Sequence, residues 1–164
     1  MPEIIFDCSC LSNFALSDAL FVLENLYSKS AYITNFVSAE IMRGIQQGHK
    51  DLARIQEALR KGWLEEVVLS SKKEKSLYET LSVSLGLGEA SSIAVAKSRG
   101  VVIACDDRAA RREAGLMDVK LTGTIGILKK AVRQKTINLN VGNRILANMI
   151  ESGFYSPVKT LNKF

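Results

Sequence analysis

The residues of this chain best suited to chemistry are carboxylates. Asp7 closes the short apolar run Ile4-Ile5-Phe6, and Asp106-Asp107 close the run Val101-Val102-Ile103-Ala104-Cys105. Each of these acids alone also fits a turn or a helix cap. Two acids at two strand ends have a second use, because open parallel sheets bind ligands outside the carboxyl ends of their strands, where the strand order reverses. Glu89 heads the segment Glu89-Ala90-Ser91-Ser92-Ile93-Ala94-Val95-Ala96, whose small and apolar residues predict a buried helix. No Lys or Arg stands three or four residues away. A buried Glu89 therefore needs an arginine from elsewhere, hydrogen-bond donors or a metal. A place in the first helical turn, favoured by the helix dipole, is the alternative. Glu40 lies in an amphipathic segment with Arg43 at i+3, and a local ion pair is its simplest role. Together Asp7, Glu40, Glu89 and Asp106 or Asp107 form a set of hard oxygen donors suited to Mg²⁺ or Mn²⁺. Such a set supports in-line phosphodiester hydrolysis without histidine.

Other chemistries are narrowed by scarcity. The single histidine, His49, must carry any Ser-His-Asp triad or His-rich zinc site, and its neighbours Gly48 and Lys50 read as surface. Cys8, Cys10 and Cys105 are an odd set with no second cysteine pair, which argues against a disulfide framework and against zinc and points to a reducing compartment. Cys8 and Cys105 read as small buried residues beside the acids. The longest apolar run is far too short to span a bilayer. The first residues are not a basic stretch followed by an apolar one, so the expectation is a cytoplasmic protein without a membrane segment. The net charge of +5 permits a polyanionic partner.

Elements that alternate along the chain must position the acids. Strands are expected at Ile4–Phe6, Ala31–Thr34, Leu64–Leu69, Val101–Cys105 and Val119–Leu121. Helical spacing of apolar residues runs from Phe14 to Tyr27, through Val37, Ile41 and Ile45 with Asn35 or Ser38 as cap, and from Leu52 to Leu59. Further helices are expected at Ser71–Ser84, Glu89–Ser98, Arg108–Ala114, Gly123–Arg133 and around Ile145–Ile150. The alternation predicts an α/β fold with a parallel sheet covered on both faces. With 164 residues and no repeat or linker, residues 1–164 read as one domain, with a C-terminal helix and tail over about 140–164. Trp63 reads as core or interface. Lys129, Lys130 and Arg133 read as charges for solubility or for a protein partner.

Several segments resemble a PIN domain, the fold of metal-dependent nucleases that includes VapC toxins. Asp7-Cys8-Ser9-x-Leu11 is similar to the opening Asp-x-Ser/Thr-x-Leu. Val37-Ser38-Ala39-Glu40-Ile41 resembles Val-x-x-Glu-Ile/Val. Leu87-Gly88-Glu89-Ala90-Ser91-Ser92-Ile93-Ala94 resembles the Gly-Glu-Ala/Ser-x-x-Ile motif of one prokaryotic subgroup. Asp106-Asp107-Arg108-Ala109-Ala110-Arg111 resembles its Asp-Asp-Arg-x-Ala-Arg, and Gly123-Thr124-Ile125-Gly126-Ile127-Leu128 its Gly-Thr-x-Gly-Ile-Leu. Gly153-Phe154-Tyr155-Ser156 resembles its C-terminal end. A haloacid-dehalogenase phosphatase would need an acid at position 9, where Ser9 stands, and a receiver domain would carry its paired acids early.

The resemblance implies a three-layer α/β/α sandwich with a parallel sheet of order 3-2-1-4-5, which brings strands 1 and 4 together at the reversal. It implies an acidic pocket of Asp7, Glu40, Glu89 and Asp106 or Asp107, holding one or two Mg²⁺ or Mn²⁺ ions. Asp107, nearer the helix start, is the favoured member of its pair. Ser9 and Thr124 would position a water or support a ligand. The implied activity is ribonuclease cleavage of RNA, with a cognate antitoxin and a homodimer as the implied partners. Arg108, Arg111 and Arg112 share one helix beside the pocket and would hold RNA phosphates. A PIN fold that binds RNA or protein without cutting is the alternative reading.

Overall fold

Strand and helix alternate from Ile4 to Glu151 in the computed structural model, which describes residues 3–162. The strands are β1 (Ile4–Phe6), β2 (Ala31–Thr34), β3 (Leu64–Val67), β4 (Val102–Ala104) and β5 (Leu121–Thr122). The helices are α1 (Cys8–Leu16), α2 (Leu20–Tyr27), α3 (Asn35–Gln46), α4 (Ala53–Lys61), α5 (Lys72–Leu81), α6 (Leu87–Arg99), α7 (Arg108–Leu116), α8 (Thr124–Arg133) and α9 (Leu139–Glu151). All strand pairs are parallel, in the order β3-β2-β1-β4-β5. β1 aligns Ile4, Ile5 and Phe6 with Val102, Ile103 and Ala104 of β4.

Two cores sandwich this sheet. Ile4 and Phe6 of β1 face one core with Leu11, Phe14, Leu23, Ile55, Leu128 and Leu146, so α1, α2, α4, α8 and α9 cover that side. Ile5 and Ile103 face the other with Ile93, Ala96, Ala110 and Ala114, from α6 and α7. The alternation within β1 follows from the two-residue period of a strand. Each fully buried Ile, Leu or Phe contributes about 1.5–3 kcal/mol relative to leaving it in water. Trp63 is buried in the first core, as its sequence neighbours suggested, and His49 is exposed.

Three local features differ from expectation. The helical spacing from Phe14 to Tyr27 is two helices, broken at Asp18, which takes the left-handed conformation at φ +56°. Asp adopts it more readily than most residues, and the apolar spacing continues across the break because both helices pack on one core. α1 begins at Cys8, capped by Asp7, whose side chain accepts from the Cys8 N–H. Thr34 caps α3, rather than Asn35 or Ser38. Its Oγ1 accepts from the Val37 N–H at 3.2 Å and bonds Ser91 Oγ at 2.8 Å, tying β2 and α3 to α6. The tail to Asn162 folds back, with Leu161 buried and its N–H donating to Asn143 Oδ1 at 2.7 Å. Residues 163 and 164 of the expected tail lie outside the described residues.

Candidate active site

The strand order reverses between β1 and β4, and the acids gather there. Asp7 follows β1 directly, and its N–H donates to Ala104 O of β4 at 2.9 Å, so the two strand ends stay in register. The Asp7 carboxylate is buried. It accepts from the Cys8 N–H at 2.7 Å and from Ser9 Oγ at 2.9 Å, while Cys105 Sγ stands 3.6 Å from Oδ2. Ser9 thus bonds the Asp7 carboxylate through its hydroxyl. Burial pushes the Asp7 carboxyl above its ordinary range; the Ser9 and Cys8 bonds oppose this, and the charge of Glu40 adds to it.

Glu89 enters from the first turn of α6. That helix buries nearly every residue from Gly88 to Ala96 against the sheet. Ligand atoms of Asp7, Glu89 and Cys105 all lie within 4.8 Å of one another. Burial, then the charges of Asp7 and Asp107, push the Glu89 carboxyl up to about 7. Among the described residues, no Lys or Arg forms an ion pair with Asp7, Glu40, Glu89, Asp106 or Asp107. Like charges crowded into a partly buried space without a cation are costly, and a divalent cation relieves that cost. The donor set therefore fits one. Its carboxylate oxygens suit Mg²⁺ or Mn²⁺, and the Cys105 sulfur is a softer neighbour. Burial first, and Asp7 next, raise the Cys105 thiol.

Glu40 reaches the same end of the sheet by a long-range bond. It accepts from the Gly88 N–H at 2.9 Å, across 48 positions of sequence, and not from Arg43. An added Cβ at Gly88 would stand 2.9 Å from Glu40 Cδ, so a side chain there would displace the carboxylate.

The two consecutive acids after β4 part company. Asp107 caps α7, with Oδ2 accepting from the Ala110 N–H at 2.9 Å, and its charge acts on Glu89. Asp106 turns to α8. Its Oδ1 accepts from the Thr124 N–H at 2.9 Å, and its Oδ2 from Thr124 Oγ1 and from Asn13 Nδ2, the latter at 3.3 Å. Asn13 Nδ2 also lies 3.1 Å from Thr124 Oγ1. Thr124 thus bonds the Asp106 carboxylate through both its N–H and its hydroxyl. Asn13 and Cys105 are the residues that sequence reasoning passed over as participants. Asn13 carries no local signal, and Cys105 is marked only by its place between the strand and the acid pair. Arg108 and Arg112 are exposed on α7. Arg111 turns inward, its Nη1 donating to Cys105 O at 2.7 Å and to Thr122 O at 3.0 Å. Lys130 sits 4.6 Å over the Tyr27 ring. Cys10 and Cys105 are buried, and Cys8 is half-buried.

A family model for PIN domains, DUF3368, matches residues 3–164. The chain belongs to the PIN-domain family. The fold of this PIN domain is similar to PAE2754 from Pyrobaculum aerophilum, with a TM-score of 0.53 and 20% identity over 81% of this chain and 98% of that one. It is also similar to FitAcB from Neisseria gonorrhoeae, with a TM-score of 0.50 and 16% identity over 73% of this chain and 96% of that one. No match is found among curated proteins. Among the described residues, no helix of this PIN domain is long and apolar enough to cross a membrane.

Proposed function

We propose that this PIN domain is a metal-dependent endoribonuclease. The observation that carries the reading is the meeting of Asp7 and Glu89 at the β1/β4 reversal, with Asp107 beside Glu89 and, among the described residues, no cationic side chain paired to them. Asp7, Glu89 and Asp107 would hold one or two Mg²⁺ or Mn²⁺ ions, with Glu40 adding charge from α3. When bound, the cation neutralises phosphate charge and acidifies water for attack on phosphorus.

The chain's own groups do the positioning. Ser9 Oγ and the Cys8 N–H fix the two oxygens of Asp7. The Gly88 N–H fixes Glu40, and so locks α3 against the turn that presents Glu89. Thr124 and Asn13 hold Asp106 at the start of α8, which fixes the backbone that carries Asp107. Arg108 and Arg112, exposed on α7, would contact phosphates flanking the scissile one. Arg111 braces the ends of β4 and β5 through two carbonyls. The reading brings two partners with it, a cognate antitoxin protein and a second copy of this chain.

The test is cleavage of single-stranded and structured RNA by the purified chain. Cleavage in Mg²⁺ or Mn²⁺ that stops with EDTA and resumes on adding metal supports the reading. Unaltered cleavage in both Asp7→Asn and Glu89→Gln would sink the assigned residues. Growth arrest on expression, relieved by a co-expressed neighbouring small protein, would support the antitoxin partner.

A further inference from the structure

A cavity of about 420 Å³ is lined by Asp106 but not by Asp7, Glu40, Glu89 or Asp107. It opens between the start of α8 and the segment that follows α9. Asp106 and Arg111 form its polar end, Gly123 and Gly126 one edge, and Phe154 and Tyr155 the opposite wall. We propose that this cavity seats a base of the RNA strand, from a nucleotide adjoining the scissile phosphate. The inference rests on the ribonuclease reading above and names a subsite for its substrate.

Size, chemistry and position each favour a base. The volume falls in the range of clefts that hold small ligands, roughly 300–1,000 Å³. The polar end offers both an acceptor and donors, as the edge of a base requires, whereas the Asp106 carboxylate disfavours a phosphate there. A carboxylate has about four lone-pair sites. Those of Asp106 receive the Thr124 N–H, Thr124 Oγ1 and Asn13 Nδ2, which leaves capacity for one more donor such as an exocyclic amine. Arg111 commits Nη1 to two carbonyls, which fixes the plane of its guanidinium, and its remaining N–H groups have no bond among the described residues.

The glycine edge lets the backbone of α8 pack closely on Asp106, Arg111 and Thr122. A Cβ at Gly123 would stand 2.6 Å from Asp106 Oδ1 and 3.1 Å from Arg111 Nη1. One at Gly126 would stand 2.8 Å from Thr122 Oγ1. The opposite wall supplies a ring. Tyr155 is 97% exposed, so its π-face has little to do in the fold and is open to stacking. Asp106 is the residue before Asp107, so the cavity and the acid cluster share the end of β4. A strand whose phosphate lies at the acids would bring a neighbouring base toward this opening.

The experiment uses the full chain carrying Glu89→Gln, so that RNA is bound without being cut. Affinity for a short labelled single-stranded RNA is read by fluorescence anisotropy, with Tyr155→Ala and Tyr155→Phe added in turn. A second oligonucleotide of equal length carries abasic sugars. Stacking predicts that Tyr155→Ala weakens binding at least about fivefold and that Tyr155→Phe does not. The abasic strand should lose a similar factor on the parent and nothing further on Tyr155→Ala. Equal affinity of parent and Tyr155→Ala, or of normal and abasic strands, overturns the proposal. So does release of a protein partner by Tyr155→Ala while RNA binding is unchanged, since the cavity would then belong to that partner. Tyr155-dependent binding together with no RNA cleavage by the wild-type chain in any metal would keep the base seat and discard the nuclease reading. Metal-dependent cleavage by the wild-type chain with Tyr155-independent binding would do the reverse.

Discussion

Replacing Glu74 tests the electrostatic reasoning on a part of the molecule remote from the proposed chemistry. Glu74 is buried in the first turn of α5 and faces Arg99 at the end of α6. Arg99 Nε donates to Glu74 Oε2 at 2.8 Å, and Nη2 to Oε1 at 3.2 Å, while the Ser70 N–H donates to Oε1 at 2.8 Å. The Arg99 bond, chiefly, pulls the Glu74 carboxyl from 4.5 down to about 2. At about 1.4 kcal/mol per pH unit this corresponds to about 3 kcal/mol. The Arg99 side chain is 35% exposed, and solvent screening trims the contribution to about 2 kcal/mol. A depressed carboxyl stabilises the fold above its unfolded-state value of about 4.5, and that stability drains away as pH falls toward the folded value near 2. Urea unfolding of the wild type and Glu74→Gln, from pH 7 to pH 3, reads the difference directly. Glu74→Gln should be less stable by about 2 kcal/mol at pH 7, with less than half of the gap left at pH 3. A gap that does not change with pH would refute the assignment of the stabilisation to this ion pair.

Other substitutions separate folding from chemistry at the site. Glu40→Gln keeps an acceptor for the Gly88 N–H, so urea stability should hold while RNA cleavage falls at least about tenfold, as loss of about 1.4 kcal/mol of barrier lowering requires. Gly88→Ala displaces the Glu40 carboxylate from the Gly88 N–H, and should lower unfolding free energy by about 0.5–1.5 kcal/mol in the same assay. Thr124→Val keeps shape but removes the hydroxyl between Asp106 and Asn13, and should cost about 1–3 kcal/mol by denaturation through the lost bond to a carboxylate.

Much of this fold was legible because local pattern and tertiary role agree. Val101 to Cys105 reads as a strand from its apolar run, and it lies inside the sheet as β4, between β1 and β5. Gly62 and Gly100 end helices with positive φ, at +81° and +68°, as a glycine stop signals. The break at Asp18 was hidden because the apolar spacing ran unbroken across it.

At the site, the residue types were readable and their partners were not. Glu40 has Arg43 nearby in sequence, yet its bond goes to Gly88, a contact that only the packing of α3 on α6 creates. Asp106 and Asp107 are alike in sequence. Their different roles arise because one lies where the Thr124 N–H of α8 points and the other starts α7. Arg111 carries the same charge as Arg108 and Arg112, but the helix turns it toward carbonyls left at the ends of β4 and β5. Asn13 lies on α1, distant in sequence from the Asp106 it holds.

The most direct test of the central claim is the fate of water oxygen during RNA cleavage. The reading requires water attack at a carboxylate-held cation, and His49, the one histidine, is exposed outside the acid cluster. Cleavage in Mn²⁺ with ¹⁸O-labelled water should place the label in the terminal phosphate of the primary product, and Glu89→Gln should abolish it. Cyclic 2′,3′-phosphate ends without label, or cleavage that persists in EDTA, would contradict the account.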